Sequence, residues 1–395
     1  MGREVPSVGQ PPAAFRKHAR SKKAKATLNK VIPALLTAHP RAKKGVSSSE
    51  LIVEPKPQPR EAAVESNHGG QDPVARPQLE LRVTDTLTAA HQLMSESKSD
   101  SGSRKARVGI LNMASMLAAG GGFLNGASSQ EASLCMRTTL LPSLHDDFYR
   151  LPEIGGVYTS DVLVFRDEQA EDLEKRHRWF VDCVSAGMLR FPNITVDEKT
   201  GQGSYSSDKD RALVLEKMRA VMRIFQSKNV SHVVLGAWGC GAFGNPVGEI
   251  VAAWKKVLMG SRQANRSKKG KAESWSGIEK VVFAIKDAGL ADAFGEAFGD
   301  GLLRVEDGGD DDHDDGGADI DAMRMQEMKV KIEEMQVRIE HAQSPQLKAG
   351  LSSILATLES QMPPATTRDG DRSDSENENS EDEQSEQDDS QDSDA

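Results

Sequence analysis

Between residues 79 and 287 of this 395-residue chain, short apolar runs alternate with segments whose apolar residues follow a helical period. The predicted strands are 79–83, 106–114, 160–167, 178–187, 231–237 and 278–287, and the helical patterns cover 86–94, a segment starting near 130, 208–226 and 246–259. Strands that are apolar on both faces and alternate with helices are typical of a central sheet covered on both sides. The alternation therefore predicts one α/β domain of roughly 230 residues.

The formal net charge of −10 is the average of two unlike parts of the chain. Residues 369–394 carry −12 and residues 306–321 carry −9, which leaves residues 1–305 with about +10. Residues 14–44 contain ten Lys or Arg and no acid, so this segment is either a polyanion-contacting or nuclear-targeting element or a solvated helix on the domain edge. A basic body favours a polyanionic ligand, and an acidic tail favours a basic partner.

Changes in composition divide the chain into five predicted parts. Two apolar stripes with spacings of three and four residues, separated by Pro345, predict a pair of short helices that follow the acidic linker. The parts are a basic N-terminal helical extension and mobile loop (1–78), the α/β domain (79–305), an acidic linker (306–318), a helical hairpin (319–362) and a disordered acidic tail (363–395).

Several functional classes are disfavoured by composition. No apolar run approaches the roughly 18 residues that a membrane span needs, so no membrane association is expected. The three cysteines, Cys135, Cys183 and Cys240, form no CxxC pair and have no His spacing typical of zinc, so neither a metal nor a cofactor is expected. An intracellular location, nuclear or cytoplasmic, is predicted.

Two glycine-rich segments each follow a predicted strand and precede a predicted helix. They are Gly120-Gly121-Gly122 and "GAWGCGAFGNP" at 236–246. In an open α/β sheet, ligands bind where strand carboxyl ends meet helix N-termini, and unpaired N–H groups there favour phosphate. Two such turns predict a diphosphate held between the loops. Neither turn ends as a P-loop does or forms a clean GxGxxG, which disfavours an NTPase and a dinucleotide-dependent dehydrogenase.

Three glycines, seven residues and then Gln130-Glu131 resemble the signature of the microbial-type poly(ADP-ribose) glycohydrolases, a branch of the macrodomain superfamily. That signature is three glycines, six to eight residues and Gln-Glu-Glu. The segments "LNMAS", "SLCMRTTL", "VYTSDVLVFRD" and "VLGAWGCGAFGNP" are similar to family segments in the same order, over roughly residues 15–290. The resemblance implies a macrodomain-like three-layer α/β/α sandwich, extended here by the N-terminal helices, the C-terminal hairpin and the acidic tail.

The resemblance also implies a ligand, ADP-ribose or poly(ADP-ribose), free or attached to modified proteins. Judged by local sequence alone, Phe243 also suits a core and Asn112 also suits a turn. The implied ligand-binding residues are Asp85 at the adenine amino group, Asn112 and Asn125 near the distal ribose, Phe243 against that ribose, and Gly120, Gly121, Gly122, Gly239, Cys240, Gly241, Ala242 and Gly244 at the diphosphate.

Gln130 and Glu131 match the first two residues of the catalytic element, and Ala132 occupies the position of its second glutamate. The resemblance implies that this glutamate is the catalytic acid, a role that a methyl group cannot fill. Three hypotheses follow. The chain is a glycohydrolase that uses Glu131 or another carboxylate, a catalytically impaired reader of ADP-ribose, or an interaction protein that acts through its C-terminal helices and tail.

Overall fold

The computed structural model describes residues 13–57, 76–99, 106–197, 199–260 and 273–305, together with single helical positions between 325 and 359. The predicted acidic linker, the acidic tail, most of the helical hairpin and residues 58–75 of the predicted mobile loop lie outside the described residues.

The continuous described ranges contain eight α-helices and ten strands. The helices are α1 (Ala13–Ala26), α2 (Ile32–Ala38), α3 (Pro40–Ser47), α4 (Thr86–Ser99), α5 (Gln130–Arg137), α6 (Asp208–Ser227), α7 (Val247–Met259) and α8 (Ala288–Phe298). The strands are β1 (Glu50–Val53), β2 (Gln78–Arg82), β3 (Val108–Met113), β4 (Gly155–Val164), β5 (Trp179–Ala186), β6 (Ile194–Val196), β7 (Gly203–Tyr205), β8 (His232–Leu235), β9 (Lys280–Ala284) and β10 (Leu303–Val305).

Eight of these strands form one sheet in the order β1-β4-β5-β3-β8-β9-β2-β10, and β6 pairs with β7 in a separate hairpin. The strands from β5 to β10 in that order run parallel to one another. β4 is antiparallel to β5, and β1 is antiparallel to β4. Because parallel strands require crossover connections, helices cover both faces of the sheet.

Consecutive residues of the central strands pack on opposite faces of the sheet. Val233 and Val281 belong to the core formed with α6, α7 and α8, whereas Val234 and Val282 belong to the core formed with α4 and α5. The three-layer α/β/α sandwich predicted for the domain is therefore confirmed. Among the described helices, none is both long and apolar enough to cross a membrane.

The N-terminal helices are packed against the sheet. Ile32 and Leu35 of α2 and Ala42 of α3 form an apolar cluster with Leu163 and Phe165. β1 then extends the sheet edge beside β4, an addition that the sequence pattern did not predict.

Pro33 is the second residue of α2 but lies inside a continuous helical run, because residues 26, 31 and 32 all have the right-handed helical conformation. A π-helical turn, Thr27–Val31, precedes it.

The strand predicted at 160–167 was wrong at both ends, because β4 begins at Gly155 and ends at Val164. Its first two residues are glycines, which strands disfavour, so the pattern concealed the start. The hairpin of β6 and β7, the helix α8 and the short edge strand β10 were not predicted either. The β6 residues are all exposed, so they lack the apolar pattern that marks the central strands.

Candidate functional site

The two glycine-rich segments leave the same edge of the sheet side by side. β3 pairs in parallel with β8 from Val108 opposite His232 to Ile110 opposite Val234. The loop after β3 (residues 114–129) and the loop after β8 (residues 236–246) therefore begin next to each other. A Cβ placed on Gly236 would lie only 2.4 Å from Cε of Met113.

In the loop after β3, the backbone lies directly against a carboxylate. Gly121 has φ +49°, and a Cβ there would lie 2.9 Å from Oε2 of Glu131 and 3.2 Å from Cβ of Ser115. Glycine is needed both for the left-handed conformation and for this close approach. No described residue accepts a hydrogen bond from the N–H of Gly120 or Gly122.

Glu131 lies in the first turn of α5 and is only 3% exposed. Its Oε2 accepts a hydrogen bond from the backbone N–H of Ser115 at 2.9 Å, and its Oε1 lies 3.5 Å from Nδ2 of Asn112. Burial, and then the charge of Glu131, raise the pKa values of the Cys135 thiol and the Tyr149 hydroxyl. Glu131 is thus the carboxylate present at the first glycine-rich loop.

Asn112 is fully buried at the end of β3. Its Nδ2 donates to Oγ of Ser185, the residue opposite it on β5, at 3.0 Å. Its Oδ1 is buried with no hydrogen-bond partner among the described residues. A buried acceptor without a partner is costly, and the described residues supply none for this oxygen.

Gln130 holds α5 against its neighbours. Its Oε1 accepts from the N–H of Met113 at 3.0 Å, and its Nε2 donates to O of Leu111 at 2.7 Å and to Oγ1 of Thr86 at 3.2 Å. Both amide hydrogens are therefore used inside the protein. These contacts position α5. A catalytic role for Gln130 stays a prediction.

Ala132 is buried at 3% exposure in an apolar cluster that includes Phe123 and, from α1, Ala24. α1 lies over the preceding turn, where Nε of Arg20 donates to O of Gly126 at 2.8 Å. The position that the family signature fills with a second glutamate is therefore a small apolar site beneath the N-terminal helix.

Asp85 immediately precedes α4, and its carboxylate is held by several groups. Its Oδ1 accepts from the N–H of Leu87 at 2.8 Å and from Arg137 at 2.7 Å, and its Oδ2 accepts from the hydroxyl of Thr88. Burial opposes ionisation, but the charge of Arg137 and these hydrogen bonds outweigh it and lower the pKa of Asp85. Because Arg137 ends α5, that helix is joined to the start of α4 at both of its ends.

The loop after β8 is closed at its base and open at its tip. The N–H of Asn245 donates to O of Gly239 at 3.0 Å, and the N–H of Gly244 donates to O of Gly241 at 3.0 Å. Within the described part of the chain, no acceptor is bonded to the N–H groups of Gly241, Ala242 and Phe243. A Cβ on Gly241 would have no heavy atom within 4 Å.

The remaining predicted residues occupy the rim of this edge. Phe243 is half-buried against the core, with Cζ of Arg190 5.9 Å from its ring centroid. Asn125 is exposed in the 3₁₀ turn Phe123–Asn125. Burial raises the pKa of the Cys240 thiol to about 12, so the thiol is protonated at neutral pH.

Sequence reasoning missed Ser115, Ser185 and Arg137. Ser185 carried no signal, because its contact with Asn112 depends on the register between β3 and β5. Arg137 could have been identified from the sequence, since it is the single charged residue in the segment "SLCMRTTL". A buried charge requires a partner, and Asp85 was already a candidate.

Comparison with known proteins bears on the first half of this site. Residues 42–167 match the family model of the microbial-type PARG catalytic domain, where PARG is poly(ADP-ribose) glycohydrolase. The resemblance inferred from the sequence is confirmed. The matched residues include Asp85, Asn112 and the loop after β3, whereas the loop after β8 lies beyond them. No curated protein sequence matches the chain.

Solved PARG structures share the fold. The crystal structure of PARG from Thermomonospora curvata has a TM-score of 0.52 at 23% identity, over 71% of this chain and 100% of that chain. A structure of the same PARG bound to the inhibitor ADP-HPD has a TM-score of 0.51 at 22% identity with the same coverage. At these identities the likeness establishes the macrodomain-like architecture.

Proposed function

We propose that this PARG-like chain binds ADP-ribose across the carboxyl edge of its sheet, with the diphosphate between the two glycine-rich loops. The main supporting observation is a set of five backbone N–H groups on two neighbouring loops for which no described residue is an acceptor. Such groups, close to the N-termini of α5 and α7, favour an anion. The family match and the PARG structure with bound ADP-HPD support this ligand class.

The remaining ligand contacts extend from the loops in both directions along the edge. Asp85 follows β2, which is separated from β8 by β9, and we assign it to the adenine end. Phe243, the unpartnered Oδ1 of Asn112 and the exposed Asn125 are assigned to the distal ribose. Asp85 already receives hydrogen bonds on both oxygens, so an adenine amino group would use a remaining lone pair.

Calorimetric titration of the full chain with ADP-ribose tests this proposal, with adenosine as the comparison ligand. ADP-ribose is expected to bind at one site and more tightly than adenosine, because only ADP-ribose carries the diphosphate. Absence of heat at millimolar ADP-ribose would contradict the proposal, as would equal affinity for the two ligands.

Hydrolysis through Glu131 is a second candidate, favoured by the approach of its Oε2 to the backbone of Gly121. In glycosidic hydrolysis an acid gives a proton to the leaving oxygen while water adds to the anomeric carbon and loses a proton to a base. Glu131 would supply the proton, and its hydrogen bond from Ser115 fixes the direction of the carboxylate. A missing general acid typically slows such a step by about 10² to 10⁴.

Turnover of poly(ADP-ribose) by wild type, Glu131→Gln and Ala132→Glu separates hydrolysis from recognition alone. A slow wild-type rate that increases in Ala132→Glu would identify a reader whose acid is missing. The buried apolar surroundings of position 132 would raise the pKa of an introduced carboxyl, which suits a general acid. A fast wild-type rate that is lost in Glu131→Gln would identify Glu131 as the acid.

We extend the proposal to polymer and protein partners. The basic N-terminal segment favours poly(ADP-ribose) over the monomer through counterion release, and the acidic tail favours a basic partner or competes for the same surface. ADP-ribose attached to modified proteins belongs to the same ligand class. A nuclear or cytoplasmic location stays a prediction from the sequence.

A further inference from the structure

Asn245 is a buried amide at the end of the loop after β8, and it is separate from the residues assigned to ligand contact. Its backbone N–H and its Nδ2 both donate to the carbonyl oxygen of Gly239, each at 3.0 Å. The five residues between them, 240–244, are thereby closed into a ring at its base. These five residues include the three whose N–H groups are proposed to hold the diphosphate.

The second hydrogen on Nδ2 donates to O of Leu189, in the loop after β5, at 2.8 Å. That loop also contacts the predicted ribose-binding residue, because the N–H of Phe191 donates to O of Phe243 at 3.0 Å. One amide therefore holds two of the loops that border the proposed cleft. Both of its hydrogens are used, so it has no donor left for a ligand.

The acceptor side of the amide is joined to the β6–β7 hairpin. Oδ1 of Asn245 accepts from the hydroxyl of Tyr205, the last residue of β7, at 2.8 Å. Tyr205 is 2% exposed, and its backbone N–H donates to Glu249 while its carbonyl accepts from Arg211. The hairpin is therefore anchored at the point where it meets the amide.

The Asn245 side chain can approach the backbone of residue 239 this closely only because that residue is a glycine. Gly239 has φ +83°, and a Cβ there would lie 2.6 Å from Nδ2 of Asn245. We infer that Asn245 is a positioning residue that fixes the diphosphate loop against the loop after β5 and the hairpin. An aspartate would have the same shape, but it would set carboxylate oxygens against the carbonyls of Gly239 and Leu189 and a negative charge beneath the diphosphate.

This inference rests on the proposed function, and its test uses Asn245→Asp in the full chain. A matched control is Gln226→Glu, because the Gln226 amide also donates to two carbonyls, those of Ser274 and Ser276, each at 3.1 Å. Gln226 lies near the end of α6, whereas the proposed site is at the other edge of the sheet. Both variants lose an amide with two carbonyl acceptors, and only one of them borders the diphosphate loop.

Calorimetry with ADP-ribose and adenosine gives the first result. Asn245→Asp is expected to weaken ADP-ribose binding about 30-fold or more, from two lost hydrogen bonds and a repulsive charge, while adenosine affinity stays within about twofold. Gln226→Glu should leave both affinities unchanged. Tyr205→Phe removes only the bond to Oδ1 and should weaken ADP-ribose binding by less than about tenfold.

Amide hydrogen exchange gives a second result that does not depend on any ligand. Exchange of the two hydrogen-bonded amides of the loop, those of Cys240 and Gly244, should become at least about tenfold faster in Asn245→Asp and stay unchanged in Gln226→Glu. The inference would be overturned if Asn245→Asp exchanged in that loop at the same rate as wild type, or if it lost as much affinity for adenosine as for ADP-ribose. Asn245 would then be a packing residue. If wild type binds no ADP-ribose, the proposed function fails, and the exchange measurement still decides whether Asn245 positions the loop.

Discussion

In the loop after β3, a Cβ on any of the three consecutive glycines would meet a side-chain atom within 3 Å, whereas a Cβ on Gly241 in the loop after β8 would meet nothing within 4 Å. The first loop packs against Glu131, Leu141 and Ala127. The same glycine-rich pattern therefore has two physical causes. At the three glycines of the first loop, and at Gly236 and Gly239 near the base of the second, glycine makes room for protein atoms, whereas Gly241 at the tip of the second loop faces open space.

The polar groups of the two regions differ in the same way. Around α5, the side chains of Gln130, Glu131 and Asp85 are engaged by backbone N–H groups or by Arg137. At the tip of the loop after β8, three N–H groups have no acceptor among the described residues. Changes near α5 should therefore act mainly on stability, and changes at the tip of the second loop should act mainly on binding.

The largest expected effect on stability is that of Asp85→Asn. This change leaves the guanidinium of Arg137 buried without a counter-charge, which should lower the free energy of unfolding by about 3–5 kcal/mol. Urea denaturation measures the loss. Asp208→Asn, which removes an exposed ion pair with Arg211, is the control and should change stability far less. Equal losses of stability in the two variants would contradict the expectation that changes near α5 act mainly on stability.

Gly121→Val should be the next most damaging change. A β-branched residue at φ +49° costs about 1–2 kcal/mol, and the overlap with the Glu131 carboxylate and Ser115 adds about 1–3 kcal/mol. The same substitution at Gly241 should change the free energy of unfolding by less than about 0.5 kcal/mol. Thermal unfolding of the two variants side by side checks the contrast, and similar melting temperatures would remove it.

The pH dependence of stability should also differ between the two regions. The pKa of Asp85 is lowered in the folded state, so its contribution is fully present above the unfolded value of about 3.9 and is lost as pH falls through the lower folded pKa. Wild type should therefore lose stability below about pH 4 more steeply than Asp85→Asn does. Gly241→Val should keep the wild-type slope. Parallel curves for wild type and Asp85→Asn would contradict the assigned ion pair.

The smallest effects are expected from substitutions on the exposed face of α1, which borders the first loop. Lys22 and Lys25 are exposed, and replacing both with glutamine should reduce the slope of log affinity for poly(ADP-ribose) against log salt concentration by roughly two. ADP-ribose affinity should stay unchanged. The control replaces two exposed lysines on α6 and α7, Lys209 and Lys256. An identical slope change in the control would indicate a general charge effect.

The sequence alone predicted the layered architecture because each central strand is buried on both faces and each long helix has one apolar face. The helix from Asp208 and the helix from Val247 were found within one residue of their observed starts. The β6–β7 hairpin could not be predicted, because its strands are three residues long and β6 is exposed. Its position depends on Tyr205, two of whose partners, Asn245 and Glu249, lie 40 and 44 residues away along the chain.

For the site, the sequence predicted which loops carry it but not how their residues are engaged. Glycines after strands marked both loops, since glycine clusters between a strand and a helix are typical of phosphate-binding turns. The ion pair between Asp85 and Arg137 joins residues 52 positions apart, and the contact of Asn112 with Ser185 depends on strand register. Such pairs are set by tertiary packing, which no local pattern records.

Whether the diphosphate lies between the two loops is decided best by the ADP-ribose affinity of Gly241→Val compared with that of Gly248→Val. A Cβ would enter open space at both glycines, but Gly241 is at the tip of the proposed diphosphate loop and Gly248 is in the first turn of α7. We expect Gly241→Val to fold normally and to lose ADP-ribose binding by about 100-fold or more, because the side chain occupies the ligand's space. Gly248→Val should bind as wild type does. Unchanged binding by a folded Gly241→Val protein would contradict this placement of the diphosphate.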